Sequence, residues 1–242
     1  MRLEVAIEQK VFVNAAGERV DVLRDLAFTL DHGELVALVG PSGCGKTTML
    51  RIVAGLDPDY RGRVVHAPDT RIGMVFQEPR LLPWRSIDDN VRLAAPQADE
   101  ARLSALFEIL ELSAHRSHFP GELSLGLARR VALARAFAIE PNVLILDEPL
   151  VSLDNALSAR LRDEIAALVA RRPVTTLLVT HDLDDAVRLG DRILLLSPRP
   201  ARIVAEIPIR TPRAARGAAE IAAIKAEIVQ RSQGGPDARE AT

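Results

Sequence analysis

Residues Leu35-Val36-Ala37-Leu38-Val39 form an unbroken apolar run, the pattern of a strand buried on both faces of a parallel sheet. Gly40-Pro41-Ser42-Gly43-Cys44-Gly45-Lys46-Thr47 follows directly and fits G-x-x-x-x-G-K-[ST]. Thr48 to Ala54 then reads as a helix, with Gly55 placed to end it. A strand, a glycine-rich turn and a helix in that order leave few folds open. The glycines let the backbone close round phosphate oxygens, so that successive N–H groups and the positive end of the helix face one anion. Within Gly40, Pro41, Ser42, Gly43, Cys44, Gly45, Lys46, Thr47 and Thr48, Lys46 would reach the outer phosphates. The Thr47 hydroxyl would ligate magnesium. The motif predicts a site for ATP or GTP.

Further strands are predicted at Arg71-Ile72-Gly73-Met74-Val75-Phe76, Val143-Leu144-Ile145-Leu146, 174–179 and Ile193-Leu194-Leu195-Leu196. Helices are expected at 155–170 and 183–189. Strands alternating with helices imply a parallel sheet. The stretch before Leu30 reads as short strands broken by a turn at 14–17. Between 86 and 139 the pattern is helical, with Leu103, Leu106, Phe107, Leu110 and Leu112 on roughly one face. This block reads as an insertion into an α/β core. A helix is expected at 214–229 and disorder from Gly234 onward.

Two acids, Asp147 and Glu148, end the strand at Val143-Leu144-Ile145-Leu146. A carboxylate there can hold magnesium beside the phosphate loop, and the next can serve as general base toward water. His181 follows the next strand and could contact the terminal phosphate or that water. Composition narrows the partners. A net charge of −2 and 3% aromatic residues leave little for phosphate-backbone binding or base stacking, so no nucleic-acid partner is expected. The only cysteine, Cys44, rules out a disulfide framework and receives no redox role. No apolar run approaches the roughly 20 residues that span a bilayer, and the alternating opening is not that of a signal peptide. A cytoplasmic protein is expected.

With these residues in hand, the chain resembles the nucleotide-binding subunits of ABC transporters, over about residues 5–209. Val75-Phe76-Gln77-Glu78-Pro79 looks like that family's Q-loop and Leu123-Ser124-Leu125-Gly126-Leu127-Ala128-Arg129-Arg130 like its signature segment. Asp147-Glu148-Pro149, Ser152-Leu153-Asp154 and Thr180-His181-Asp182 look like its magnesium strand, D-loop and switch histidine. The resemblance implies an α/β P-loop NTPase core with a parallel sheet, an N-terminal antiparallel β subdomain and an inserted helical subdomain. It divides the chain into a core at 1–85 and 140–210, a helical insertion at 86–139, and a C-terminal helix and tail at 211–242. It implies an ATPase with ATP and Mg2+. Glu148, His181 and Gln77 would be catalytic, and Thr47, Gln77 and Asp147 would hold the metal. Phe12 is the candidate to stack on adenine, with an ordinary core phenylalanine as the alternative.

The same resemblance implies an ATP-held homodimer in which Ser124 and Gly126 of one copy, with Asp154 at the interface, complete the other copy's site. The implied partners are transmembrane permease subunits, in a system with a periplasmic or extracellular substrate-binding protein. The chain itself would be peripheral on the inner face of the membrane. Gln77-Glu78-Pro79-Arg80-Leu81-Leu82-Pro83-Trp84 looks like the segment of the nitrate, sulfonate and taurine importers. Trp84 would meet the permease or, alternatively, pack within the helical subdomain. Export or lipid trafficking remains open as a transport class. A regulatory subunit with weakened hydrolysis also remains open, because Leu125 and Leu127 depart from the family's usual L-S-G-G-Q. A nucleic-acid ATPase is disfavoured by the single cassette and the absence of sustained heptads.

Overall fold

The computed structural model describes residues 3–233. In chain order, β1 (Leu3–Val13), β2 (Arg19–Leu30) and β3 (Leu35–Val39) lead into α1 (Lys46–Val53), β4 (Arg61–Val65) and β5 (Ile72–Val75). Then come α2 (Ile87–Ala94), α3 (Glu100–Ile109), α4 (Leu125–Ala138), β6 (Val143–Asp147) and α5 (Asn155–Arg171). The chain continues with β7 (Thr175–Thr180), α6 (Leu183–Leu189), β8 (Arg192–Leu196), β9 (Ile203–Pro208) and α7 (Ala218–Gln233). It forms two compact units. One holds the residues up to Pro68 and from Leu177 onward; the other is Asp69–Thr176.

In the first unit, β2, β1 and β4 form an antiparallel sheet in that order. Leu3, Val5 and Ile7 alternate inward along β1 and are buried, as a two-residue period requires. The register against β4 slips between Ile7 and Gln9, so the phase shifts and Lys10 turns inward instead. That buried ammonium is satisfied by the Asp57 carboxylate at 2.9 Å and the Asp59 carbonyl at 2.5 Å. The core strands of the unit run β7–β3–β8–β9. The β3–β8 pairing is parallel and β8–β9 antiparallel. All five residues of β3 are buried, because it is a central strand. Ile221 and Ile228 of α7, seven residues apart on one face, are buried as well.

The second unit contains the parallel pair β5–β6 and the helices α2 to α5. Gly73 of β5 lies so close to α4 that a β-carbon there would stand 2.6 Å from the Ala136 carbonyl oxygen, so only glycine fits. Leu103, Leu106, Phe107, Leu110 and Leu112 are all buried, as their spacing predicts.

Three expectations are corrected. The opening strands are 11 and 12 residues long, since β1 is paired on both edges over much of its length. Strands β4 and β9 escape the apolar-run criterion because they are mostly exposed and carry charges. The C-terminal helix starts at Ala218, after a 3-10 turn at Arg213–Ala215. Arg216 leaves the helical conformation to donate to the carbonyls of Val187, Arg188 and Thr211. It thereby satisfies the C-terminal end of α6. The tail expected to be disordered lies outside the described residues.

Candidate functional site

The phosphate loop lies wholly in the first unit and is shaped by what surrounds it. Gly43 and Gly45 take φ of +75° and +125°, conformations that glycine adopts with least strain. A β-carbon on Gly45 would stand 2.8 Å from Val22 Cγ1 and 2.9 Å from Leu23 Cδ2, whereas one on Gly43 would meet only the Arg199 guanidinium, at 3.9 Å. On its outer side the Gly43 carbonyl accepts a hydrogen bond from the Arg199 guanidinium. Gly45 caps α1 without a side-chain bond, and the first turn of α1 carries no acid. Its leading N–H groups and helix dipole therefore favour an anion.

Lys46 is 5% exposed. Its ammonium donates to the Gly40 carbonyl at 2.8 Å and the Pro41 carbonyl at 3.0 Å, which holds the cation along the loop. Thr47 is exposed and Thr48 half-buried at the head of α1. Cys44 is buried, and burial pushes its thiol pKa up against the opposing pull of Lys46. Chemistry at that sulfur is therefore disfavoured.

Two more candidates share this unit. His181 is exposed immediately after β7. Behind it, Asp182 caps α6, and the Thr180 hydroxyl accepts from the Asp182 N–H at 3.0 Å. Phe12 is 44% exposed, which removes the core alternative. The Lys10 ammonium stands 4.7 Å from the Phe12 ring centroid, a cation–π contact that fixes the ring.

The second unit carries the remaining candidates around α4. Asp147 ends β6 and is buried, while Glu148 is half-buried. Glu148 and Ser152 have φ of +45° and +63°, so the turn leaving β6 is strained at two residues other than glycine. Ser124 caps α4 by accepting from the Leu127 N–H at 3.3 Å, and Asp154 caps α5 by accepting from the Leu157 N–H at 2.9 Å. Gly126 faces Leu157, whose Cδ2 would lie 2.6 Å from an added β-carbon. Helices α4 and α5 thus pack at van der Waals distance. Gln77 is exposed just beyond β5. The segment after it is pinned where Arg135 of α4 donates to the Pro79 and Arg80 carbonyls, each at 2.8 Å.

Leu125 is 44% exposed. It occupies the first helical position of α4 and is not among the residues with positive φ, so leucine introduces no backbone strain there. Trp84 is 71% exposed, which corrects the reading that it packs within the helical subdomain. Sequence reasoning placed Arg129 and Arg130 in the signature segment but missed what they hold. Arg129 donates to the carbonyls of Glu148, Pro149 and Val151, and Arg130 pairs with Glu111 and Glu164, each at 2.6 Å. The signal was three arginines in an otherwise apolar helix, which resembles a solvated face.

The fold and the phosphate loop define a nucleotide-binding α/β protein of the P-loop class. The ABC transporter family matches residues 23–151. An aliphatic sulfonates import ATP-binding protein of Burkholderia cenocepacia is 43% identical over 219 residues, covering 87% of this chain and 79% of its own length. Its counterpart in Pseudomonas syringae pv. tomato is 41% identical over 230 residues, covering 94% of this chain and 96% of its own. Among solved structures, the dimeric bacterial ABC transporter cassette MJ0796 superposes with a TM-score of 0.76 at 27% identity, over 88% of this chain and all of that one. A post-hydrolysis dimer of that cassette, bound to ADP and Pi, superposes with a TM-score of 0.74. The chain belongs to the ABC transporter family, and it is an ATP-binding, ATP-hydrolysing subunit.

Proposed function

We propose that this ATPase powers a membrane importer for aliphatic sulfonates or a related small solute such as taurine or nitrate. The observation that carries this reading is the 41% identity, over nearly the full length of both chains, to a sulfonate-import ATP-binding protein. The segment from Gln77 to Trp84 agrees with it. Among the described residues no helix is long and apolar enough to cross a membrane; in this reading the energy passes to transmembrane permease subunits. The exposed indole of Trp84 and the exposed ring of Phe119 are suited to that contact. They flank a hydrogen bond of 2.9 Å from the Ile87 N–H to the His118 carbonyl. The subunit would then lie peripherally on the inner face, in a system with a substrate-binding protein outside.

In the proposed cycle Lys46 and the N–H groups at the head of α1 bind the β- and γ-phosphates of ATP. Phe12 stacks on the adenine. The Thr47 hydroxyl, the Asp147 carboxylate and the Gln77 amide are all hard oxygen donors, a set that fits magnesium. When bound, Mg2+ neutralises charge developing on the phosphate oxygens. Glu148 takes the proton of the attacking water as its oxygen bonds to the γ-phosphorus and the bond to the bridging oxygen breaks, leaving ADP and phosphate. His181 contacts the γ-phosphate and holds that water in line. Ser124 and Gly126 at the head of α4 present the helix N-terminus to the nucleotide of a second copy, with Asp154 beside them. Two ATP molecules thus close a homodimer, and their hydrolysis reopens it.

The test is a pair of variants. Lys46→Ala should weaken ATP binding, since a hydrogen bond to a charged group contributes about 1.5–3 kcal/mol, roughly 10–100-fold in Kd. Glu148→Gln should bind ATP normally and lose about 10²–10⁴-fold in kcat. Hydrolysis by Glu148→Gln at the rate of the unaltered chain would remove Glu148 from its role. Sulfonate-dependent stimulation of the ATPase in vesicles containing the permease and its binding protein tests the cargo.

A further inference from the structure

Arg129 lies in the second turn of α4 and is 5% exposed. One terminal nitrogen donates to the Glu148 carbonyl at 3.2 Å and the Pro149 carbonyl at 2.5 Å; the other donates to the Val151 carbonyl at 2.6 Å. Its Nε is buried and unpartnered. Among the described residues no carboxylate pairs with it, in contrast to Arg130 next along, which has Glu111 and Glu164. Burial pushes the Arg129 pKa down. Burying a cation without a counter-charge is expensive, and an apolar side chain would fill the space at lower cost. The backbone it grips is also the strained turn, with positive φ at Glu148 and Ser152. Strained segments persist only where their surroundings over-determine them, and the planar guanidinium fork supplies donors in fixed directions.

We propose that Arg129 is a positioning residue for the general base: by holding the carbonyls of Glu148, Pro149 and Val151 it sets the direction in which the Glu148 carboxylate leaves the chain. The proposal deepens the reading of Glu148 as base and rests on it. Arg129 stands five residues after the Ser124 cap and three after Gly126. A shift of the signature end of α4, such as a second copy would cause on binding there, is therefore passed directly to the base. Arg135, farther along α4, grips carbonyls after Gln77 instead and serves as the internal comparison.

The experiment is a double-mutant cycle on the full chain, with Arg129→Gln, Glu148→Gln and the double variant. Steady-state ATPase, ATP affinity and thermal unfolding are measured for each. Arg129→Gln should lower kcat by about 10²-fold, the scale of a displacement of about 1 Å at a reacting group, with ATP Kd unchanged. Placed on Glu148→Gln it should cost nothing more, because the base it positions is already gone. Arg129→Lys retains the charge but not the fork and should recover part of the lost kcat. If Arg129→Gln does not fold, the same cycle is run with Arg129→Lys. Unaltered kcat in the Arg129 variant beside an inactive Glu148→Gln overturns this proposal alone. So does an equal loss in both backgrounds, or a loss confined to ATP affinity. Unaltered hydrolysis by Glu148→Gln overturns the base reading and this proposal with it.

Discussion

Gly43 and Gly45 are two residues apart in one loop, both with positive φ, yet the structure assigns them unequal substitution costs. In Gly45→Ala the new methyl group inherits φ +125° and stands 2.8 and 2.9 Å from the side chains of Val22 and Leu23, and 3.2 Å from the Val22 carbonyl oxygen. A backbone this unusual costs roughly 1–3 kcal/mol for a residue with a β-carbon, and overpacking adds a further 1–3 kcal/mol or so. The midpoint is about 4 kcal/mol. At about 2–4 °C per kcal/mol for a domain of this size, Tm should fall by roughly 8–16 °C. In Gly43→Ala the methyl group meets only the Arg199 guanidinium at 3.9 Å. The left-handed conformation alone costs about 1 kcal/mol, or roughly 2–4 °C. Thermal unfolding of both variants without nucleotide reads the contrast. Equal shifts, or the larger shift at Gly43, would refute the reasoning that Val22 and Leu23 close the site round the loop.

Further outcomes are expected elsewhere. Trp84→Ala should change stability by no more than about 0.5 kcal/mol, as for other exposed positions. Because Trp84 is the only tryptophan, its fluorescence should be readily quenched by acrylamide in the free subunit and protected on binding the permease. An unquenchable indole in the free subunit would contradict its exposure. The Glu100 carboxylate is held down to about 2, against an ordinary 4.5, by hydrogen bonds from Arg116, Ser104 and Arg92. Its contribution is therefore fully present above about pH 4.5 and fades as pH falls toward 2. Denaturant midpoints of Glu100→Gln and the unaltered chain should differ at pH 6 and converge in acid; a gap that does not change with pH would contradict the network.

What the sequence disclosed and what it hid follow different physics. The segment 35–55 was legible because phosphate binding needs glycines and a lysine at fixed spacing, and because a central strand must be apolar throughout. Helix α6 was read at 183–189, where it is found, since Asp182 and Gly190 mark its ends. Strands β4 and β9 were not legible, because many of their side chains face water and they carry charges, and β4 pairs with β1, remote in sequence. For the same reason nothing in Arg129 announced three backbone carbonyls 19 to 22 residues away. Side-chain-to-backbone bonds leave no complementary residue type at the partner position. Leu125 shows the converse. It stands where the resembled motif has glycine, yet as the first residue of α4 it needs no positive φ.

The central claim is that ATP joins two copies of this chain through the phosphate loop of one and the head of α4 of the other. The most direct test is the solution mass of Glu148→Gln with and without ATP and Mg2+, measured by light scattering. A monomer that becomes a dimer on adding ATP is the expected result, with Ser124→Arg in the same background remaining monomeric. A protein that binds ATP yet stays monomeric, or a Ser124→Arg variant that dimerises as well as its parent, would contradict the claim.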